Sequence, residues 1–229
     1  MSLNPAQIFF YAIAFLFAIS LHESAHAWMA SRCGDPTARM LGRVTLNPLR
    51  HIDPVGTLLM PAICLIAHFP LFGWAKPTPV TPTNFKNIVR DDILTSIAGP
   101  ISNFIAALGA VLLIKIITFS GTAGLRAFIA TFQGDLNGQG VLTPIMFLLY
   151  AVMEINVVLG VFNLIPVPPL DGSHVLRHFL PPGALRVYDA AGMFGLALLV
   201  FFGGRWLMLL LSPFLGFFQY LLFLGLHVR

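Results

Sequence analysis

The stretch Leu21-His22-Glu23-Ser24-Ala25-His26-Ala27-Trp28 stands inside an otherwise uncharged apolar run near the N-terminus. On a helix, His22 and His26 share one face about one turn apart, so both imidazoles can reach one metal ion. Glu23 is rotated by about a quarter turn and can act on a water bound to that ion. A glutamate in hydrocarbon is costly unless it has a function. The stretch therefore predicts a metal site inside a membrane helix.

The composition of the whole chain also indicates a membrane protein. Hydrophobic residues make up 57% of the 229 residues and charged residues 10%, with a mean hydropathy of +0.85. Soluble domains carry about 25% charged residues. The net charge of +4 is scattered through loops, so it predicts no nucleic-acid partner. Cys33 and Cys64 predict no disulfide framework, and Cys33 is expected to be a packing residue. The N-terminus lacks the basic region of a signal peptide, so we expect the first span to be retained.

Apolar windows of about 20 residues mark the candidate transmembrane helices. A sixth run, about residues 54–73, is long enough to span but carries three prolines that interrupt backbone hydrogen bonding. We therefore expect an all-α polytopic membrane protein, a single domain over residues 1–229, with five to six spans and a re-entrant, partly extended segment after the first helix. The five clearer spans are Gln7–Ser31, Ile93–Thr118, Leu142–Ile165, Val187–Phe202 and Trp206–Leu226.

The distribution of basic residues favours five spans. If residues 54–73 do not cross and the N-terminus is outside, ten basic residues lie inside and two, Arg126 and Arg205, lie outside. If residues 54–73 cross, the tally becomes six against six, and the usual excess of inside positive charge disappears. Gly42–Pro48 resembles a short extended segment, and Gly73–Pro82 carries too many prolines to be helical. Non-helical backbone at membrane depth needs protein or a wet cavity beside it, and a plain cytoplasmic loop is an equal alternative for this region.

A catalytic zinc site needs a third protein ligand. The acids in or near the membrane are Asp91, Asp92, Glu154, Asp171 and Asp189. Asp171 stands out because it closes Asn163-Leu164-Ile165-Pro166-Val167-Pro168-Pro169-Leu170-Asp171-Gly172, where three prolines force the chain out of the helix just before the acid. With five spans, Asp171 emerges at the inner membrane face, to which the first helix also carries His26.

Three motifs in this order resemble the site-2 protease family of intramembrane zinc metalloproteases: HESAH, the segment Gly99-Pro100-Ile101-Ser102-Asn103, and NLIPVPPLDG. The resemblance implies one zinc per chain held by His22, His26 and Asp171, with Glu23 as general base. It makes Asn163 a candidate to position the substrate or stabilise the oxyanion. Asn103 is a weaker candidate for helix packing or substrate gating. The chain looks like a minimal member without PDZ or CBS domains, with a catalytic core over about residues 7–172 and accessory helices over about residues 187–226.

By the same resemblance, we expect hydrolysis of peptide bonds in or near the transmembrane helices of membrane-protein substrates. Such a substrate must unwind before attack, and Val44–Asn47 could bind the unwound strand by β-addition. The expected location is a prokaryotic plasma membrane, with the N-terminus outside and the site near the cytoplasmic face. The alternatives are a metal or ion transporter, or a non-catalytic membrane scaffold, using the same polar site. The oligomeric state does not follow from the sequence.

Other polar residues have local explanations as well as functional ones. His51 and Asp53 could support the site, although hydrogen bonding within a loop is the more economical explanation. His174 could line the cavity or cap a helix. Glu154 is expected to hold helices together as a buried hydrogen-bonded acid, with a proton pathway as the alternative. The aromatic residues from Phe214 to Phe223 are expected to face lipid.

Overall fold

The computed structural model describes residues 5–66, 73–136 and 140–226, and in these residues it contains helices and no strand. The all-α prediction is thus confirmed. In chain order the α-helices are α1 (Pro5–Cys33), α2 (Thr37–Met40), α3 (Met60–Ile66), α4 (Ile88–Phe119), α5 (Thr122–Gln133), α6 (Leu142–Asn163), α7 (Asp171–Arg177), α8 (Pro182–Phe202) and α9 (Gly204–Phe223).

Four of the described helices, α1, α4, α6 and α9, are long and apolar enough to cross a membrane. The polytopic membrane class is therefore confirmed. Much of the surface of these helices consists of large exposed apolar side chains, which is the arrangement that lipid requires. The aromatic tail follows the same pattern, because Phe217 and Tyr220 are exposed whereas Phe218 is buried against the bundle.

The end of α1 and the start of α4 lie side by side. The backbone N–H of Lys86 donates to the carbonyl of Cys33 at 3.2 Å. The chain between them consequently leaves and returns at one end of the bundle, which we call the Cys33 end. The opposite end, where α4 stops, is called the Phe119 end.

Within that connection, the described ends of an excursion over residues 54–74 lie against each other. A π-helix (Pro54–Leu59) runs into α3, and the returning chain is tied to its start because Trp74 N–H donates to Gly56 O at 3.1 Å and Thr57 Oγ1 donates to Trp74 O at 2.8 Å. Residues 67–72 lie outside the described part of the chain. Because Trp74 is hydrogen-bonded to Gly56 and Thr57, the chain returns at the place where the excursion began, in agreement with the non-crossing prediction.

Two segments of this connection were predicted to be non-helical, and the first of them, Gly42–Pro48, to be extended. Gly73–Thr81 is non-helical, as its prolines predict. Val44–Asn47 does not form a straight strand, because the chain bends at Val44 and Thr45, where the Thr45 N–H donates to Arg43 O at 3.0 Å. The Thr45 carbonyl also accepts from His51 Nε2 at 2.9 Å. Val44–Asn47 therefore lacks the extended backbone that the predicted β-addition requires.

The core lies where α4 packs between α1 and α6. Small residues at these contacts, including Ala14, Ala18 and Ala107, are fully buried and allow close approach of the helices, as membrane helix interfaces require. Toward the Phe119 end, larger side chains such as Ile114, Met146 and Met153 fill the space. Cys33 is buried against Ala30 and Phe85, as expected for a packing residue.

The direction of α9 differs from the expected five-span arrangement. The ring of Phe104 on α4 stacks with Phe214 at 6.3 Å, and Lys115, further along α4, donates to the carbonyls of Leu221 and Leu224 at 2.8 and 2.6 Å. The contacts advance together along both helices, so α9 runs parallel to α4 rather than antiparallel. Helix α9 therefore begins in the Cys33 half of the bundle, and α8, which covers the predicted span Val187–Phe202, does not take the chain across. Arg205 then belongs with the basic residues of the Cys33 end.

Candidate metal centre

Three predicted ligands, on α1 and at the start of α7, come together in one place. The Nε2 atoms of His22 and His26 are 3.0 Å apart, and Asp171 Oδ2 lies 3.1 Å from the first and 3.4 Å from the second. In a tetrahedral zinc site with bonds of about 2.0–2.1 Å, the ligand atoms are separated by about 3.3 Å. In the described part of the chain this is the one group of three histidine, cysteine or acidic side chains whose ligand atoms are close enough to share an ion.

A chain of buried amides fixes the ring of His22. Asn156 Nδ2 donates to Val152 O on its own helix, and its Oδ1 accepts from Asn103 Nδ2 at 2.8 Å. The Asn103 Oδ1 atom is therefore the acceptor that faces His22 Nδ1 at 2.6 Å. Because Nδ1 must then carry the proton, Nε2 presents a lone pair toward Asp171 and His26.

His26 is oriented by backbone instead of by an amide side chain. Its Nδ1 lies 2.7 Å from the carbonyl of Thr95, so it donates there and Nε2 again presents a lone pair. Gly99, on the next turn of α4, makes this approach possible. A Cβ atom at that position would lie 2.4 Å from His26 Nε2 and 2.7 Å from His22 Cε1. The segment Gly99–Asn103 thus supplies the space for both histidines and the hydrogen bond to His22, whereas the hydrogen bond to His26 comes from Thr95.

Asp171 reaches the histidines because the proline-rich segment ends α6 at Asn163 and α7 begins with the acid itself. The Asp171 side chain is a carboxylate at neutral pH. Its Oδ2 atom is buried and accepts no hydrogen bond from any described residue. Two imidazole lone pairs and an unpartnered carboxylate oxygen repel one another unless a cation lies between them. This donor set fits zinc.

Glu23 lies beside this group without belonging to it. Its Oε2 atom accepts two hydrogen bonds from Thr78, one from the backbone N–H at 2.9 Å and one from the hydroxyl at 2.7 Å. Glu23 is partly buried and lines the same cavity as the three ligand residues.

The cavity measures about 530 Å³, within the usual range of about 300–1,000 Å³ for ligand sites. Its walls come from α1, α4, α6, α7, α8 and the segment 73–80, and its lining mixes apolar side chains with the polar groups of the site. Asn163 lines this cavity, and its Nδ2 donates to Leu159 O of its own helix at 3.0 Å. Asn103, by contrast, is wholly buried on the far side of His22 and contacts the ligand itself.

The remaining polar residues mostly have local roles. Asp53 caps the π-helix by accepting from the N–H groups of Val55 and Gly56, and His51 bonds within its own loop. Glu154 accepts from Tyr11 Oη at 2.5 Å and so joins α6 to α1. His174 lines the cavity and lies 3.7 Å from Asp92.

Two functional contacts were absent from the sequence-based predictions. Asn103 was expected to pack helices or gate substrate, and its contact with His22 was missed. A buried asparagine within an apolar span was the available signal, because such a side chain needs a partner. Thr78 was missed altogether. The sequence feature that could have indicated Thr78 is its position between Pro77 and Pro79, which leaves it the sole backbone N–H of the three residues.

Comparison with known proteins identifies the class. The model of peptidase family M50 matches residues 10–202, and the chain therefore belongs to this family, the site-2 proteases. Bacillus subtilis "Putative zinc metalloprotease YwhC" is 37% identical over 183 residues, which cover 80% of this chain and 74% of that protein. "Putative zinc metalloprotease Rip2" of Mycolicibacterium smegmatis is 30% identical over 203 residues, covering 86% of this chain and 68% of that protein. No solved structure matches the chain at a significant level.

These findings confirm the predicted family and establish zinc as its metal. The chain is thus an integral membrane member of a zinc metalloprotease family.

Proposed function

We propose that this protein is an intramembrane zinc metalloprotease that hydrolyses peptide bonds in or near the transmembrane helices of membrane-protein substrates. His22, His26 and Asp171 hold one zinc ion, and Glu23 is the general base. The main support for this proposal is that the three ligand atoms lie within 3.4 Å of one another, beside Glu23. They lie in a bundle whose long apolar helices can cross a membrane.

Each residue has a separate task. Zinc, when bound, lowers the pKa of water and polarises the scissile carbonyl. Glu23 accepts the proton of the attacking water and later delivers it to the leaving amine. Asn103 and the Thr95 carbonyl keep the two imidazoles turned with Nε2 toward the ion. Asn163, on the cavity wall, is proposed to position the substrate backbone or stabilise the oxyanion.

The site is proposed to lie near the cytoplasmic face, with the N-terminus of the protein outside. His26 is seven residues from the end of α1, or about 10 Å along the helix axis. The basic residues gather at that same end, where Arg32, Lys86 and Arg90 flank the junction of α1 and α4. Excess positive charge marks cytoplasmic loops. The bacterial relatives support a prokaryotic plasma membrane.

Cleavage of a single-pass model substrate by the reconstituted, zinc-loaded protein tests the proposal. The substrate carries residues that weaken its helix, and Glu23→Gln is the matched variant. Glu23→Gln keeps the shape of the side chain but loses the proton acceptor, so we expect it to retain zinc and lose roughly 10²–10⁴-fold in rate. Equal cleavage by both proteins would exclude Glu23 as the base. Zinc flux across liposomes without cleavage would favour a transporter, and zinc binding with neither activity would favour a scaffold.

The orientation has its own test. Single cysteines near Ser31 and Thr83, in a background without Cys33 and Cys64, should both react with an impermeant thiol reagent only from the cytoplasmic face. A cysteine at Ser120, at the Phe119 end, should react from the outside. Labelling of the first two positions from opposite faces would contradict the proposed topology.

A further inference from the structure

We propose that Thr78 is a positioning residue for Glu23, with its backbone N–H as the principal group and its hydroxyl as an auxiliary one. The inference rests on the proposed function, because it assigns Glu23 the role of base. Among the described residues, the hydrogen bonds of Thr78 at this site go to Glu23. It holds the carboxylate that acts on water.

The geometry shows why the N–H is the principal group. Glu23 Oε2 accepts from Thr78 N at 2.9 Å and from Thr78 Oγ1 at 2.7 Å. The same Oγ1 atom lies 3.0 Å from the backbone carbonyl of Glu23. A hydroxyl has one proton, so it serves either acceptor at a given moment, whereas the N–H is directed at the carboxylate alone.

The sequence around Thr78 offers a single backbone N–H. Pro77 and Pro79 have no N–H, so between Lys76 and Val80 Thr78 has the single backbone donor. Prolines on both sides also limit the conformations of the segment. The donor is therefore supplied by a stiff piece of chain and costs little conformational entropy to hold in place.

The segment is anchored on either side of Thr78. On its N-terminal side, Lys76 N–H donates to His51 O at 2.8 Å. On its C-terminal side, Asp35 accepts from Thr81 N–H at 2.7 Å and from Asn84 Nδ2 at 2.9 Å. Burial raises the pKa of the Asp35 carboxyl, but these hydrogen bonds and those from Thr37 outweigh burial and keep its pKa below the ordinary value. Both anchors are thus formed at neutral pH, and they fix Thr78 against α1.

A carboxylate on α1 without this contact could rotate about its side-chain bonds. A base that is misplaced by about 1 Å can lose on the order of 10²-fold in rate. The loss should appear in kcat, because the contact acts on the chemical step and not on the binding of substrate or zinc.

The test compares four variants for zinc content, kcat and KM. Thr78→Ser keeps both donors and should match the wild type. Thr78→Val keeps the N–H but loses the hydroxyl, and we expect kcat to fall about threefold. Thr78→Pro removes both donors, and we expect kcat to fall by roughly 30- to 100-fold with zinc content and KM unchanged. Thr81→Val is the matched control, because it removes a neighbouring hydroxyl that contacts Thr37 and not Glu23, and it should leave kcat unchanged.

A second measurement needs neither activity nor metal, and it keeps the proposal testable if Thr78→Pro fails to fold. Hydrogen exchange of the peptide containing residues 73–81 should show one additional fast-exchanging amide in Glu23→Ala, at Thr78. The amides of Trp74, Lys76 and Thr81 should stay protected by their other acceptors.

The outcomes separate this inference from the proposed function. An unchanged kcat in zinc-loaded Thr78→Pro, a rise in KM alone, or unaltered exchange at Thr78 would overturn the positioning role while leaving Glu23 as the base. Normal cleavage by Glu23→Gln would overturn the proposed function itself.

Discussion

The two halves of the candidate site are held by different kinds of structure. The two histidines proposed as metal ligands are held by helices, through contacts between α1, α4 and α6 such as the path from Asn156 through Asn103 to His22. Glu23 is held by the non-helical segment 73–81, through Thr78. Metal binding and water activation should therefore be separable by mutation. Changes on the helical side should remove zinc, and changes on the segment side should slow catalysis with zinc in place.

The largest expected effect is the loss of a ligand. His22→Ala, His26→Ala and Asp171→Ala should each lose zinc and all measurable cleavage, because a site with two remaining ligands cannot hold the ion against solvent. Metal analysis of the purified proteins provides the measurement. His174→Ala is the control, since His174 lines the same cavity outside the ligand group and should keep one zinc per chain. Undiminished zinc in Asp171→Ala would remove that residue from the site.

The parts of the site also differ in how well the sequence predicts them. The proximity of His22 and His26 was predictable because a four-residue spacing on one helix is a local pattern, and Asp171 was a candidate because three prolines mark the point where the chain leaves α6. The contact between Asn103 and His22 joins residues 81 positions apart and depends on which helix packs against α1. The Thr78 contact joins residues 55 positions apart, one of them in a segment without periodicity.

The direction of α9 was also beyond the sequence. Hydropathy tests whether Val187–Phe202 is long and apolar enough to cross a membrane. Hydropathy alone does not show whether the segment does cross. The contacts of Lys115 with the carbonyls of Leu221 and Leu224 decide the direction of α9. With α9 parallel to α4, Arg205 lies at the Cys33 end and not at the outer face to which the five-span count assigned it.

A smaller effect is expected from Asn103, which supports a ligand without being one. Asn103→Ala should weaken zinc binding by roughly 10- to 100-fold, because His22 loses the acceptor that fixes its tautomer and its ring orientation. Competition with a chelator of known affinity measures this change. Ser102→Ala is the matched control on the same turn, because the Ser102 hydroxyl donates to Gly99 O within α4 and does not reach the ligands. Equal zinc affinity in Asn103→Ala and Ser102→Ala would contradict an orienting role.

The smallest effect is expected from a polar contact away from both halves of the site. Tyr11 Oη donates to Glu154 at 2.5 Å and joins α1 to α6, yet neither residue lines the cavity. Hydrogen bonds between membrane helices contribute about 0.6 kcal/mol on average and up to about 1.7 kcal/mol. Tyr11→Phe should therefore lower the thermal midpoint in detergent by a few degrees while leaving zinc content and kcat unchanged. Glu154→Gln, which keeps an acceptor for the Tyr11 hydroxyl, should be more stable than Tyr11→Phe. A fall in kcat of tenfold or more in Tyr11→Phe, at normal zinc content, would instead place Glu154 on a proton pathway. The contact between Tyr11 and Glu154 would then serve catalysis and not only the packing of α1 against α6.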